Sequence, residues 1–136
     1  MRTRIVVSAL IEQEGKILLG RKKPGVGPYP DTWHLPGGGI EEEDKTLEEA
    51  LQREVREETG LEVAVSDSIG FDEDLEPNKE GEETHYIFLV HKTRVSGGTL
   101  KPSSDLVALQ WFPQNELKNL PLTMPSQKLF IKMGIV

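Results

Sequence analysis

Glu54, Glu57 and Glu58 lie within a stretch, residues 46–59, that carries the marks of an α-helix. Thr46 with Glu49 forms a capping box, Gly60 follows as a stop, and Leu47, Ala50, Leu51 and Val55 recur at helical spacing. At about 100° per residue the apolar stripe covers roughly a third of the circumference. Glu54 and Glu58 project between Leu47 and Leu51 within that stripe, and Glu57 falls beside Ala50. Three carboxylates are therefore expected on the inward side, while Glu48, Gln52 and Arg56 face out. As near neighbours on one face they repel by roughly 0.2 to 0.5 kcal/mol per facing pair. Their place in the last turns adds a macrodipole penalty of about 0.3 to 1 kcal/mol. Carboxylate oxygens are hard ligands suited to Mg2+ or Mn2+, and a dication gathered among them reverses the sign of the repulsion. The plain alternative is a solvated helix end, with Glu49 and Arg53 as an ordinary i, i+4 pair and Arg53 or Arg56 offsetting the remaining charge.

The segments that must position such a helix are mostly strands. RIVVSALI (4–11) and residues 16–20 read as two strands joined by a turn at Gln13-Glu14-Gly15, and they pair as a hairpin. Residues 22–31, with three prolines and two glycines, read as a loop, and Trp33-His34-Leu35-Pro36 as a short extended piece before a hinge at Gly37-Gly38-Gly39. Residues 62–70 alternate as a strand, the acidic stretch 71–83 reads as a loop, and 85–93 is a strongly apolar strand. Residues 106–112 form a further strand ending at Pro113, and 124–133 has helical periodicity with Pro125 in its first turn. Strands around one long helix, with a second helix at the end, predict an α/β (α+β) architecture in which a mixed β-sheet is covered on both faces.

The totals narrow the function classes. A chain of 136 residues, 36% hydrophobic, builds one domain spanning 1–136. A net charge of -7 argues against broad nucleic-acid binding or a basic membrane-binding face. The absence of cysteine removes disulfides, thiolate nucleophiles and thiolate metal sites. No apolar run reaches the ~20 residues of a membrane span, and Met1-Arg2-Thr3-Arg4 leads straight into a strand, so the expected location is the cytoplasm.

The stretch Gly38 to Leu61, GGIEEEDKTLEEALQREVREETGL, resembles the Nudix box: glycine, five residues, glutamate, seven residues, then Arg-Glu-aliphatic-any-Glu-Glu-any-Gly-aliphatic. Arg53, Glu54, Val55, Glu57, Glu58, Gly60 and Leu61 match every defined position of the second half. The first half departs by one residue: counting from Gly38 reaches Asp44, and counting back from Arg53 reaches Lys45 and Gly39. An insertion in the loop accounts for this and leaves Glu43 or Asp44 to replace the first box glutamate. Trp33 to Gly38 is similar to the family's lead-in, and Trp111-Phe112 with Glu116-Leu117 to its C-terminal strand and short helix. The resemblance implies the Nudix fold with the box as a loop-helix-loop catalytic motif, and it leaves a homodimer open.

It also implies a reaction. The family hydrolyses a nucleoside diphosphate linked to another moiety, such as a nucleoside triphosphate, ADP-ribose, a sugar nucleotide or a dinucleoside polyphosphate. Cations must neutralise the phosphates and a base must prepare water. By motif position Glu54, Glu57 and Glu58 are the expected catalytic and metal-binding residues, for Mg2+ or Mn2+, with Arg53 orienting them. Glu54 is the first choice of proton acceptor, and the acids between Asp72 and Glu83 are the alternatives. Arg21 matches the family's phosphate-binding arginine, and Lys22 and Lys23 stand beside it. Gly38, Gly39 and Trp33 complete the expected substrate contacts, with Tyr29 and Phe71 as further aromatics for a base, while Trp33 next to Leu35 reads equally as core. His34, His85 and His91 have no metal-ligand spacing and read as structural or surface residues. A non-catalytic nucleotide-binding module on the same fold is the competing reading.

Overall fold

The structure is a computed structural model, and it describes residues 1–24, 31–103 and 106–135. Its elements run β1 (Arg2–Gln13), β2 (Lys16–Lys22), β3 (Trp33–His34), β4 (Gly37–Gly39), α1 (Leu47–Thr59), β5 (Leu61–Pro77), β6 (Glu83–Gly98), β7 (Leu106–Pro113), a 3-10 turn (Gln114–Asn119) and α2 (Met124–Lys132). The central strand β1 runs parallel to β6 from Arg2 opposite Thr84 to Ile11 opposite Thr93, and antiparallel to β4. Its last residues turn into β2, which pairs β3 and β7. The result is a mixed seven-stranded sheet, ordered β3-β2-β1-β6-β5, with β4 beside β1 and β7 beside β2.

Period-two alternation along β1 divides the interior in two. Val7, Ala9 and Ile11 face α1, where they pack with Ala50, Leu51, Val55, Leu61 and Val63. Leu10 faces the other way, towards Leu35, Val90, Phe112, Leu117, Leu129 and Phe130, roofed by α2. Helices thus cover both faces of the sheet, as the order of elements predicts. Full burial of each Leu or Val in these layers contributes roughly 1.5 to 3 kcal/mol relative to exposure.

The cap residues end α1 as the sequence predicts. Thr46 Oγ1 accepts from the Glu49 N–H at 3.0 Å, and Gly60 takes φ 78° as the left-handed C-cap. A Cβ at Gly60 would lie 2.3 Å from the Thr99 carbonyl oxygen, so the helix exit requires glycine.

Three expectations need correction. The acidic stretch 71–83 is not a long loop: β5 continues to Pro77 and β6 starts at Glu83. Asn78 closes the turn between them, its N–H donating to Glu82 O and its Oδ1 accepting from the Glu80 and Glu82 N–H groups. Alternate acids along this stretch are compatible with a strand because one of its faces meets solvent. Gly37–Gly39 is not a hinge but a strand, held by pairing with Ser8, Val7 and Val6. Leu47 is 42% exposed, because the helix turns its first residue away from the sheet.

Candidate functional site

Asp44, from the loop before α1, sets the geometry of the acidic cluster. Its two carboxylate oxygens accept from Arg53 Nε and Nη2 at 2.9 and 2.8 Å, and Oδ2 also accepts from the Glu41 N–H. Asp44 therefore supports the loop and Arg53, while Glu43 lies exposed. The Arg53 guanidinium beside Asp44 holds that carboxyl below the usual carboxylate range. The remaining Arg53 donors go to the Gly39 carbonyl at 3.2 Å, Glu54 Oε1 at 2.9 Å and Glu57 Oε2 at 3.2 Å. One arginine thus ties β4, the preceding loop and two glutamates together, as the fork of five donors permits.

The three glutamates occupy different depths. The side chains of Glu54 and Glu58 are 14% and 13% exposed, whereas Glu57 is 60% exposed. The inward placement expected of Glu57 is thus corrected to a rim position, where its carboxylate reaches Arg53 across one helical turn. Burial pushes the Glu54 carboxyl up against the opposing pull of Arg53. Its oxygens lie so close over Gly38 that a Cβ there would sit 2.3 Å from Oε2. Glu58 Oε1 lies 3.9 Å from His34 Nδ1. Among the described residues no three Asp, Glu or His side chains close on a common point. Glu54 and Glu57 share Arg53 Nη1, the nearest cation. Glu54, desolvated beside a strand that lacks side chains, offers the hard oxygen donors that a dication takes.

A cleft of about 610 Å³ opens on the α2 face of the sheet, where β1 and β6 supply the floor. Its size suits a small organic ligand. Even-numbered residues point into it: Arg4, Val6 and Ser8 from β1, and Tyr86, Phe88 and Val90 from β6. Gly37, Gly38 and Gly39 border the side nearest the acidic helix, and Asp72 the far side. Tyr86 and Phe88 are stacked with centroids 6.1 Å apart. His34 links cleft and helix. Its Nδ1–H donates to Leu35 O at 2.9 Å, and burial lowers its pKa to about 4, so the ring is neutral at pH 7. The second nitrogen, Nε2, is then a buried acceptor without a hydrogen bond among the described residues.

The expected substrate contacts divide. Gly38 and Gly39 line the cleft. Arg21 and Lys23 are exposed and do not line it, and Lys22 does. Trp33 packs edge-on against Phe112 at 4.8 Å and belongs to the second core. Phe71 is 67% exposed, with Lys132 Nζ 5.9 Å above its ring. Tyr29 falls outside the described residues. His85 is a surface residue hydrogen-bonded to Glu73, and His91 is half-buried. Asp72, one of the acids considered for the metal, faces the cleft and α2 instead. Arg4, Tyr86, Phe88 and Ser8 escaped the sequence reading, although their alternation on β1 and β6 was there to be followed.

A mixed sheet between two helices, with an arginine-braced acidic helix next to a cleft, is the arrangement that the resemblance to the pyrophosphate-cleaving Nudix hydrolases implies. The NUDIX domain model matches residues 1–133, and the chain belongs to the Nudix family. Curated relatives include nucleoside triphosphatase NudI of Enterobacter sp. (strain 638) and of Escherichia coli O139:H28, each 28% identical over 142 residues and covering 100% of both chains. Among solved structures, the MutT NUDIX hydrolase of Burkholderia pseudomallei superposes with a TM-score of 0.81 at 26% identity, covering 96% of this chain and 98% of that one. The ORF135 protein of E. coli gives 0.71 at 28% identity over 98% and 92% of the two chains. The expected fold and the expected enzyme class, a Nudix pyrophosphohydrolase, both hold. Among the described residues, no helix is long and apolar enough to cross a membrane.

Proposed function

We propose that the chain hydrolyses the pyrophosphate linkage of a nucleoside triphosphate or related nucleoside diphosphate derivative, with Glu54, Glu57 and Glu58 holding Mg2+ or Mn2+. The observation that carries this reading is the contact of the Glu54 carboxylate with the bare backbone of Gly38, which puts the acidic helix directly against the edge of the cleft. A dication held by these carboxylates would neutralise charge on the phosphate oxygens and would make water easier to deprotonate. The protein groups have distinct tasks. Arg53 orients Glu54 and Glu57, and Asp44 fixes Arg53. Glu54, half-buried beside Gly38 and held by Arg53, is the carboxylate placed to accept the proton of the attacking water. Gly38 and Gly39 allow phosphates to approach the backbone, and Lys22 supplies positive charge at the cleft in place of Arg21 or Lys23. A cytoplasmic location goes with a nucleotide substrate, and light scattering would check a homodimer.

The test is a panel of nucleoside triphosphates, ADP-ribose, sugar nucleotides and dinucleoside polyphosphates with Mg2+, scored by product. At least one should release a nucleoside monophosphate, and Glu57→Gln should reduce kcat by about a thousandfold or more. Undiminished turnover by that variant, or no turnover with any compound, overturns the reading.

A further inference from the structure

Four residues lie directly across the sheet from one another. Asp72 on β5 is opposite Phe88 on β6, Phe88 is opposite Val6 on β1, and Val6 is opposite Gly39 on β4. The row therefore crosses three strand spacings, roughly 14 Å at about 4.8 Å each. Residues in one row share a face, and all four line the cleft. The chemistry changes along it. Gly39, at one end, abuts the acidic helix through its carbonyl bond to Arg53, and its cleft side is covered by Arg4, whose Nη2 would be 2.5 Å from a Cβ placed there. Phe88 and Val6, with Tyr86 beside them, make an apolar middle. Asp72 closes the other end.

Asp72 is buried, 9% exposed. Its Oδ1 accepts from the Glu73 N–H at 2.8 Å, while Oδ2 is a buried acceptor without a hydrogen bond among the described residues. Lys128 and Lys132 of α2 bring ammonium groups to 3.9 and 3.6 Å, near enough to balance charge but beyond hydrogen-bond reach. A desolvated acceptor left without a donor costs free energy that a ligand donor recovers.

We infer that the nucleotide lies along this row, its phosphate under Arg4 and the edge of its base at Asp72, which makes Asp72 a specificity-determining residue for bases that present an amino group. This rests on the nucleotide reading above and adds direction and selectivity to it. A carboxylate accepts and does not donate, so the amino group of cytosine or adenine satisfies Oδ2, whereas the carbonyl of uracil or hypoxanthine meets it acceptor to acceptor. The apolar middle is indifferent to that exchange, because any base offers a face to Phe88 and Tyr86.

The decisive comparison uses pairs that differ in this one group: CTP against UTP and ATP against ITP, with Mg2+. The intact protein should favour the amino-bearing member of each pair by about tenfold or more in kcat/KM. Asp72→Asn, which can donate, should bring both ratios towards one or invert them, mainly through KM. Arg4→Gln should lower kcat/KM for all four alike. Ratios near one in the intact protein overturn the inference, as does an Asp72→Asn variant that weakens all four equally, the mark of a mere tether between β5 and α2. If none of the four is hydrolysed, the reaction assigned to the site is in question, and calorimetric Kd ratios for CMP against UMP and AMP against IMP decide the inference without turnover.

Discussion

The two helices cover opposite faces of one sheet, yet they are built to different ends. Pro125, Ser126, Leu129 and Phe130 of α2 are buried, and Phe130 is fully so. Helix α1 buries Ala50, Leu51 and Val55 but gives the flank of that stripe to Glu54 and Glu58. A roof can spend its whole inward face on apolar contact. Helix α1 gives up part of that face to carboxylates, and they are steadied from outside by Arg53 and Asp44. Helix α2 gives most to the core and α1 carries the acidic cluster, and experiments can break or sharpen that contrast.

The largest effect belongs to α2. Phe130→Ala should cost about 3 to 5 kcal/mol of unfolding free energy, read by denaturant titration, because it empties a packed site. It should leave the Mg2+-induced rise in melting temperature intact; a lost rise would mean that the helices are not separable. His34, between the two layers, comes next. Its folded pKa of about 4 lies below the 6.5 of an exposed histidine, so the unfolded chain binds the extra proton. Stability is full above pH 6.5 and falls as pH drops towards 4, by roughly 3 kcal/mol at about 1.4 kcal/mol per unit. Melting curves in chelator should show this slope, and His34→Gln should flatten it.

Smaller effects return to α1. Saturating Mg2+ should raise stability by about 1 to 3 kcal/mol. Glu54→Gln should blunt that rise, yet melt higher than the parent in chelator, since it removes a desolvated charge while keeping an acceptor for Arg53. A lower melting point in chelator would show that Arg53 more than offsets the desolvation. Thr46→Ala, which removes only the cap, should cost about 1 kcal/mol with little change in kcat.

Much of this was legible because local chemistry dictated it. The bounds of α1 follow from Thr46, Glu49 and Gly60, and the alternate faces of β1 from its β-branched run. Arg53 and the glutamates stand in a motif that fixes spacing on one helix. What was hidden depended on partners distant in the chain. Nothing local makes a strand of three glycines; pairing with Val6, Val7 and Ser8 does. Nothing local separates Asp72 from its acidic neighbours, and only register against Phe88 turns it into the cleft. Trp33 reads equally as a stacking or a core residue, and its contact with Phe112, from β7, is with the core. The choice between Glu43 and Asp44 likewise waited on Arg53 reaching back from the helix.

The long pairing of β1 with β6 has a consequence for how this chain can change over time. Because odd positions of β1 feed one interior and even positions the other interior and the cleft floor, losing or gaining a single residue between Arg4 and Ile11 would transpose them all. Length variation should therefore be confined elsewhere, as in the turn at Asn78–Glu82, where added residues would meet solvent and leave both interiors in step.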